Sequence, residues 1–270
     1  MPESASAGSV PARDRASAGW VPLAWPGAGV RAGFTTRLGG CSVGAWGDAR
    51  GEAGLNLGAH CGDDPRAVAA NRERLQALMP ASPNWLDQVH GTEVAVLDGP
   101  CDSPPRADAA VTDRPGVVLA ILSADCLPVL LADDEGRVVG AAHAGWRGLA
   151  AGVLENMLAA ARALSPHSRR WHAWLGPAIG QSAFEVGEEV REAFLHGDRQ
   201  AATCFIEGGR PGKWQADLAG LARRRLLRAG LDRIVDAQVC THRDAERFYS
   251  YRRDGLTGRF GSFIWRDPRG

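Results

Sequence analysis

Three side chains in this 270-residue chain have the type and setting of metal ligands or catalytic groups: His90, Cys126 and His143. Cys126 stands in Ser123-Ala124-Asp125-Cys126-Leu127-Pro128-Val129-Leu130-Leu131, and His143 in Ala141-Ala142-His143-Ala144-Gly145-Trp146-Arg147-Gly148. A thiol and an imidazole thus fall on two neighbouring apolar strands, followed by a sharp glycine turn into a helix. With His90, two imidazoles and one thiolate make a three-ligand zinc set whose fourth place stays open for water, the catalytic arrangement. Two other chemistries use the same atoms. Cys126 as nucleophile with His143 as base would make a Cys–His hydrolase. Two histidines and a cysteine also suit blue copper when a weak axial methionine is at hand. Only Met79 and Met157 are internal, and neither lies in a loop joining the cysteine and histidine, so copper is the weakest of the three. His90 is distant in sequence, and spacing alone leaves the choice between metal and nucleophile open.

The Gly145-Trp146-Arg147-Gly148 turn adds a helix N-terminus with free backbone N–H groups. Arg147 adds a fixed charge with a fork of donors, suited to phosphate or a developing oxyanion. The plainer expectation is that Arg147 pairs with Asp125 or Asp108 and braces the turn. Asp125, adjacent to Cys126, should point to the opposite face of a regular strand and so act as a supporting acid rather than a ligand. His60 and His242 are secondary candidates, and Cys240 reads as core. Arg252 and Arg253 either line an anion site or form structural ion pairs.

These groups must be held by elements that the apolar pattern outlines. Strands are expected at 30–35, 85–89, 94–97, 107–112, 117–122, 127–132, 138–143, 171–175, 234–241 and 262–265. His90-Gly91 falls in the turn between the second and third of these. Pro128 argues for a bulge or an edge strand. A helix should start with Asp64 as N-cap and Pro65 at its first position and run to about Met79, burying Val68, Leu75 and Leu78. Further helices are expected over 148–164, 186–195 and 218–227, and residues 39–54 form a glycine-rich loop. Strands and helices mix without a regular βαβ repeat, and no dinucleotide or phosphate-loop glycine fingerprint is present.

Equal numbers of basic and acidic residues, 31 each, give no net field, and no basic block suggests nucleic acid as a partner. No apolar run approaches the roughly 18 residues of a membrane span. The six cysteines lack paired short spacings, which favours reduced thiols and a cytoplasmic setting. Residues 1–18, without periodicity, read as a disordered tail preceding one domain over 19–270.

The ordered motifs resemble those of one family. They are Phe34-Thr35-Thr36-Arg37 with Gly39-Gly40, Leu55-Asn56-Leu57-Gly58, Gly62-Asp63-Asp64-Pro65, Gln88-Val89-His90-Gly91 and Ala107-Asp108-Ala109. Ala124-Asp125-Cys126-Leu127-Pro128, His143-Ala144-Gly145-Trp146-Arg147-Gly148, Tyr251-Arg252-Arg253-Asp254-Gly255 and Thr257-Gly258-Arg259 complete the set. Together they look like the YfiH-type laccase-domain family, also described as multicopper polyphenol oxidase-like, purine nucleoside phosphorylase or peptidoglycan-editing factor proteins. The resemblance implies an α/β fold, with two mixed sheets packed between helices in a single domain, related to the catalytic domains of cytotoxic necrotizing factor toxins.

It also implies zinc on His90, Cys126 and His143, with copper as the alternative ion. The implied chemistry is phosphorolysis of adenosine, inosine or methylthioadenosine, with adenosine deamination as a second activity. Polyphenol oxidation and hydrolytic editing of peptidoglycan precursors are the alternatives. The partners implied are a small nucleoside and phosphate, bound by a monomer or homodimer through Arg147, Asn56 and Arg252, with Cys126, His143 and Arg147 catalytic. Residues 44–54 look longer than usual for the family, and residues 1–18 are extra.

Overall fold

Every second residue of the central strands faces one of two cores, and this alternation builds the molecule in layers. The computed structural model describes residues 19–27 and 29–269; the expected tail over 1–18 lies outside the described residues. Its first strands are β1 (Trp20–Leu23), β2 (Val30–Thr35), β3 (Leu38–Ser42), β4 (Val94–Val96), β5 (Ala109–Thr112) and β6 (Leu119–Ser123). Then come β7 (Leu127–Asp133), β8 (Val139–Ala144), β9 (Trp171–Leu175), β10 (Glu185–Gly187), β11 (Phe205–Glu207) and β12 (Lys213–Ala216). The last two are β13 (Arg233–Asp236) and β14 (Phe260–Arg266). The helices are α1 (Pro65–Gln76), α2 (Trp146–Ala151), α3 (Val153–Leu164), α4 (Glu188–Leu195), α5 (Leu218–Arg228) and α6 (Tyr251–Asp254).

A six-stranded mixed sheet, in the order β13-β9-β7-β8-β5-β4, lies against a four-stranded antiparallel sheet in the order β1-β2-β14-β6. On β7, Leu127, Val129 and Leu131 face a core shared with α3, α4 and α5, while Leu130 and Ala132 face the space between the sheets. On β6, Leu119 and Ile121 face the same space, whereas Ala120 and Leu122 turn outward onto Leu55, Leu57 and Leu75. The result is two sheets between helices, as the resemblance implied. Leu127, Val129, Leu130 and Leu131 are all fully buried. At about 2 kcal/mol per buried side chain, that anchors the strand leading away from Cys126 firmly.

Several local expectations are corrected. Pro128 lies in an interior strand, flanked by β8 and β9, yet it precedes by one residue the β9 pairing that begins at Val129 and Leu175. Its missing N–H is therefore not asked for by β9. The helix expected over 148–164 is two helices, broken at Gly152, whose φ of 107° is open to glycine and strained for other residues. Residues 85–89 form no ladder strand: one isolated bridge joins Asp87 to Arg106, and another joins the preceding Asn84 to Leu119. The first helix has its Asp64 cap and Pro65 start but ends at Gln76, leaving Leu78 exposed. The strand expected over 234–241 stops at Asp236. A small antiparallel sheet in the order β10-β12-β11 has no counterpart in the sequence reading. Among the described residues no helix is long and apolar enough to cross a membrane.

Candidate metal centre

Register brings the first pair of groups together. β5 and β8 run antiparallel with Ala109 opposite Ala142, so the next step sets Asp108 opposite His143. The His143 N–H donates to the Asp108 carbonyl at 2.7 Å, and its ring Nδ1 meets Asp108 Oδ1 at 2.8 Å. Both side chains share the face of Ala110 and Ala141, between the two sheets. Asp108 is fully buried, and its remaining capacity is filled from the turn that carries His90. Oδ1 accepts the His90 N–H at 2.9 Å, and Oδ2 accepts those of Gly91 at 2.6 Å and Val89 at 3.1 Å. One carboxylate thereby fixes the ring of one histidine and the backbone of the other. His90 sits at φ 60°, a left-handed conformation held by the three successive N–H groups that donate to this carboxylate.

Cys126 occupies the bend between β6 and β7 rather than a strand, so the expected alternation of Asp125 and Cys126 across a strand does not apply. Asp125 has φ 91° and turns away from the thiol. Its oxygens accept from Thr241 Oγ1 at 2.6 Å, Ser250 Oγ at 3.0 Å and the Arg252 N–H at 2.7 Å. Asp125 thus joins the Cys126 bend to the start of α6. The Ser123 hydroxyl donates to the Cys126 carbonyl and closes the bend.

The ligand atoms of His90, Cys126 and His143 lie within 4.8 Å of one another. Cys126 Sγ is 3.7 Å from His90 Nε2, and the two imidazoles meet edge to face with centroids 4.8 Å apart. Burial would raise the Cys126 thiol, but His143 and then His90 overcome it and bring it down to about 6. Burial would likewise lower His143, but Cys126 and Asp108 raise it to about 9. Asp108, despite burial, is held below the usual carboxylate range by His143 and the Gly91 and Val89 amides. The donor set fits a metal. A sulfur and two imidazole nitrogens converge, and Asp108 on Nδ1 of His143 leaves Nε2 free for the ion, the usual carboxylate–histidine support.

The glycine turn serves this convergence. A Cβ on Gly145 would lie 2.8 Å from His90 Cδ2 and 3.1 Å from Cys126 Sγ, and one on Gly148 would lie 2.6 Å from the Gly91 carbonyl oxygen. The missing Cβ atoms thus let the His90-Gly91 turn pack against the start of α2. Arg147 is exposed, with its guanidinium 4.4 Å from the Trp146 ring centroid, and it contacts neither Asp108 nor Asp125.

A cavity of about 500 Å³ opens over the three ligands. Trp146, Ile179, Phe184, Leu218 and Tyr251 supply apolar and aromatic walls, and His60, Arg252 and Arg259 supply polar ones. Of the substrate-binding candidates, the structure brings Arg252 to this cavity but neither Arg147 nor Asn56. Asn56 is fully buried, its Oδ1 accepting the N–H groups of Gly58 and Arg259. Arg253 braces the backbone at Thr241, His242 and Phe248. His242 does not line the cavity, and Cys240 packs its sulfur on the Gly180 N–H. Sequence reasoning missed the reach of Asp108 and the place of Arg259. The Ala107-Asp108-Ala109 motif, a charge inside an apolar run, was the available signal for the first.

A family model described as multi-copper polyphenol oxidoreductase laccase matches residues 31–267. The chain is 48% identical over 244 residues to the Escherichia coli protein named purine nucleoside phosphorylase YfiH, covering 89% of this chain and 96% of that one. It is 48% identical over 247 residues to the Pseudomonas aeruginosa purine nucleoside phosphorylase PA4543, covering 91% and 98%. Among solved structures, Neisseria meningitidis protein NMB0706 superposes with a TM-score of 0.84 at 45% identity, over 92% of this chain and 99% of that one. YlmD from Geobacillus stearothermophilus gives 0.81 at 34%, over 92% and 96%. With a matching model over most of its length and near-half identity to these relatives, the chain belongs to the multi-copper polyphenol oxidoreductase laccase family.

Proposed function

We propose that the chain is a zinc-dependent purine nucleoside phosphorylase, cleaving adenosine, inosine or methylthioadenosine with phosphate to free base and sugar 1-phosphate. The observation that carries this reading is the cavity: large enough for a nucleoside, walled by flat aromatic groups, and floored by a three-donor set with room beside it. The names of the relatives agree with it. The domain over 19–270 would carry the whole activity.

His90, Cys126 and His143 would hold the ion, which when bound supplies a Lewis acid at the cavity floor. Zinc is favoured over copper redox chemistry by the methionines. Met157 packs against Gly140 in the helix-side core and Met79 against the outer cluster, so neither offers an axial sulfur to the site. In phosphorolysis a phosphate oxygen bonds to the anomeric carbon as the bond to the purine nitrogen breaks, and the leaving base takes up a proton. The chain contributes orientation and exclusion of water, with Trp146 and Phe184 against the purine faces and Ile179 and Leu218 closing the edge. Partial burial, then the Arg259 and Arg72 charges, hold His60 below the usual imidazole range. Its neutral form, favoured by that shift, offers a donor and an acceptor to ribose hydroxyls. Deamination of adenosine, the second activity, needs a proton carrier, and His60 is the lining group suited to it, because the oxygens of Asp108 and Asp125 are already engaged.

Incubating zinc-loaded protein with adenosine, with and without phosphate, tests the reading by product chromatography. Adenine that forms only with phosphate is the expected result, with inosine as the minor product. Neither product from fully loaded protein would refute both activities. A second reading, a Cys–His hydrolase, is favoured by one observation: Asp108, His143 and Cys126 form an orienter, base and nucleophile series. Metal-free protein that hydrolyses substrate through a Cys126-linked intermediate, seen by mass spectrometry, would decide for it.

A further inference from the structure

We infer that Arg252 and Arg259 together form the phosphate subsite of this cavity; the inference rests on the phosphorylase reading. Both line the cavity, and among the described residues neither makes an ion pair with a carboxylate. Each is instead held through Nη1 on backbone carbonyls: Arg252 on Glu185 at 2.9 Å, Arg259 on Thr257 and Gly258 at 2.9 Å each. A carbonyl anchors a guanidinium without neutralising it. The plane of each fork is fixed while Nε and Nη2 keep donors for an oxyanion. The adjacent Arg253 shows the contrast, since its donors are spent on three backbone carbonyls and on Asp254.

Further contacts place the two arginines. The Arg259 N–H is held by the buried Asn56, and its stem occupies the space that Gly58 leaves, where a Cβ would lie 2.8 Å from Arg259 Cγ. Arg252 starts from an N–H held by Asp125, and its guanidinium carbon lies 5.5 Å from the Phe184 ring centroid. Asp125 is the carboxylate of the lining, and two hydroxyls and an amide occupy its oxygens. Asn56 therefore acts as a positioning residue for Arg259 and Asp125 as one for Arg252. A dianion with tetrahedral oxygens is the ligand that two uncompensated forks in one cavity select.

The test uses zinc-loaded full-length protein, titrated calorimetrically with inorganic phosphate alone and assayed for the KM of phosphate and of inosine. Arg259→Gln and Arg252→Gln are each expected to weaken phosphate binding, and to raise its KM, by about tenfold or more, with the inosine KM moved less than about threefold. Arg259→Lys and Arg252→Lys should recover part of the loss. If Arg259→Gln loses its circular dichroism, Arg252→Gln on the exposed turn carries the test. Phosphate that binds wild type through both arginines while no nucleoside is ever cleaved would leave the subsite standing and sink the phosphorylase reading. No phosphate uptake by wild type, or folded variants with unchanged phosphate affinity, would overturn the subsite.

Discussion

Asp108→Asn is the substitution that asks most of the centre. The native carboxylate accepts four hydrogen bonds, from His143 Nδ1 and the N–H groups of Val89, His90 and Gly91. Asparagine keeps one acceptor oxygen, so two donors would face its NH2 group in a fully buried setting. Bonds to a charged acceptor are each worth about 1.5–3 kcal/mol, so losing two costs about 4 kcal/mol. For a chain of this size that corresponds to roughly 10 °C in the Tm of the metal-free protein. The ring of His143 and the φ of His90 would both be released, and loss of such a support weakens metal binding about 10- to 100-fold. Zinc competition against a chromophoric chelator, beside thermal unfolding of the metal-free protein, reads both effects. A zinc affinity within threefold of wild type and an unmoved Tm would show that Asp108 does not organise the site.

Other expectations follow from the same geometry. Gly145→Ala should lower zinc occupancy more than it lowers Tm, since the added Cβ strikes His90 and Cys126; full occupancy by elemental analysis would contradict this. Arg147→Ala should change kcat/KM less than about threefold, because its guanidinium is exposed on Trp146; a loss beyond tenfold would return it to the site. In metal-free protein, thiolate absorbance at 240 nm that disappears in Cys126→Ser should titrate near 6, and a midpoint above 8 would refute the pairing with His143. The depressed thiol stabilises the fold fully above its unfolded value, about 8.5, and that contribution fades as pH falls through about 6. The raised imidazole stabilises fully below about 6.5, and its contribution fades as pH rises through about 9. Because each shift is largely the other group's charge, the thiolate–imidazolium pair is intact only between about 6 and about 9, and metal-free stability should be greatest there and decline on both sides.

The convergence of His90, Cys126 and His143 was legible as residue types, but the means of convergence was not. Strand register decides that Asp108 faces His143, and register depends on pairings between segments more than thirty residues apart, which local periodicity does not encode. The central strands were readable because each buries both faces and so appears as an apolar run, β7 above all. Residues 85–89 misled for the opposite reason: Trp85 and Leu86 cover other elements without pairing in a ladder. Pro128 looked like an edge residue because sequence shows the missing donor and not the point where the neighbouring strand stops. At Gly152 the helical pattern ran straight through a residue whose role is to break it. The packing of the two glycines beside Arg147 against the His90-Gly91 turn was not legible either, since sequence does not show which segment a missing Cβ makes room for.

The network around Asp108 is complete among the protein's own atoms. The His143 ring and the His90 backbone are therefore braced by hydrogen bonds that no ion supplies, and the free energy of capturing one would go to affinity rather than to folding. In zinc fingers the metal supplies the folding energy. This chain should instead lose its ion to a chelator and retake one without unfolding. Such a site ranks ions by intrinsic affinity for nitrogen and sulfur, an order in which copper stands above zinc. An occupant carried through purification would then record which ion was available to the protein.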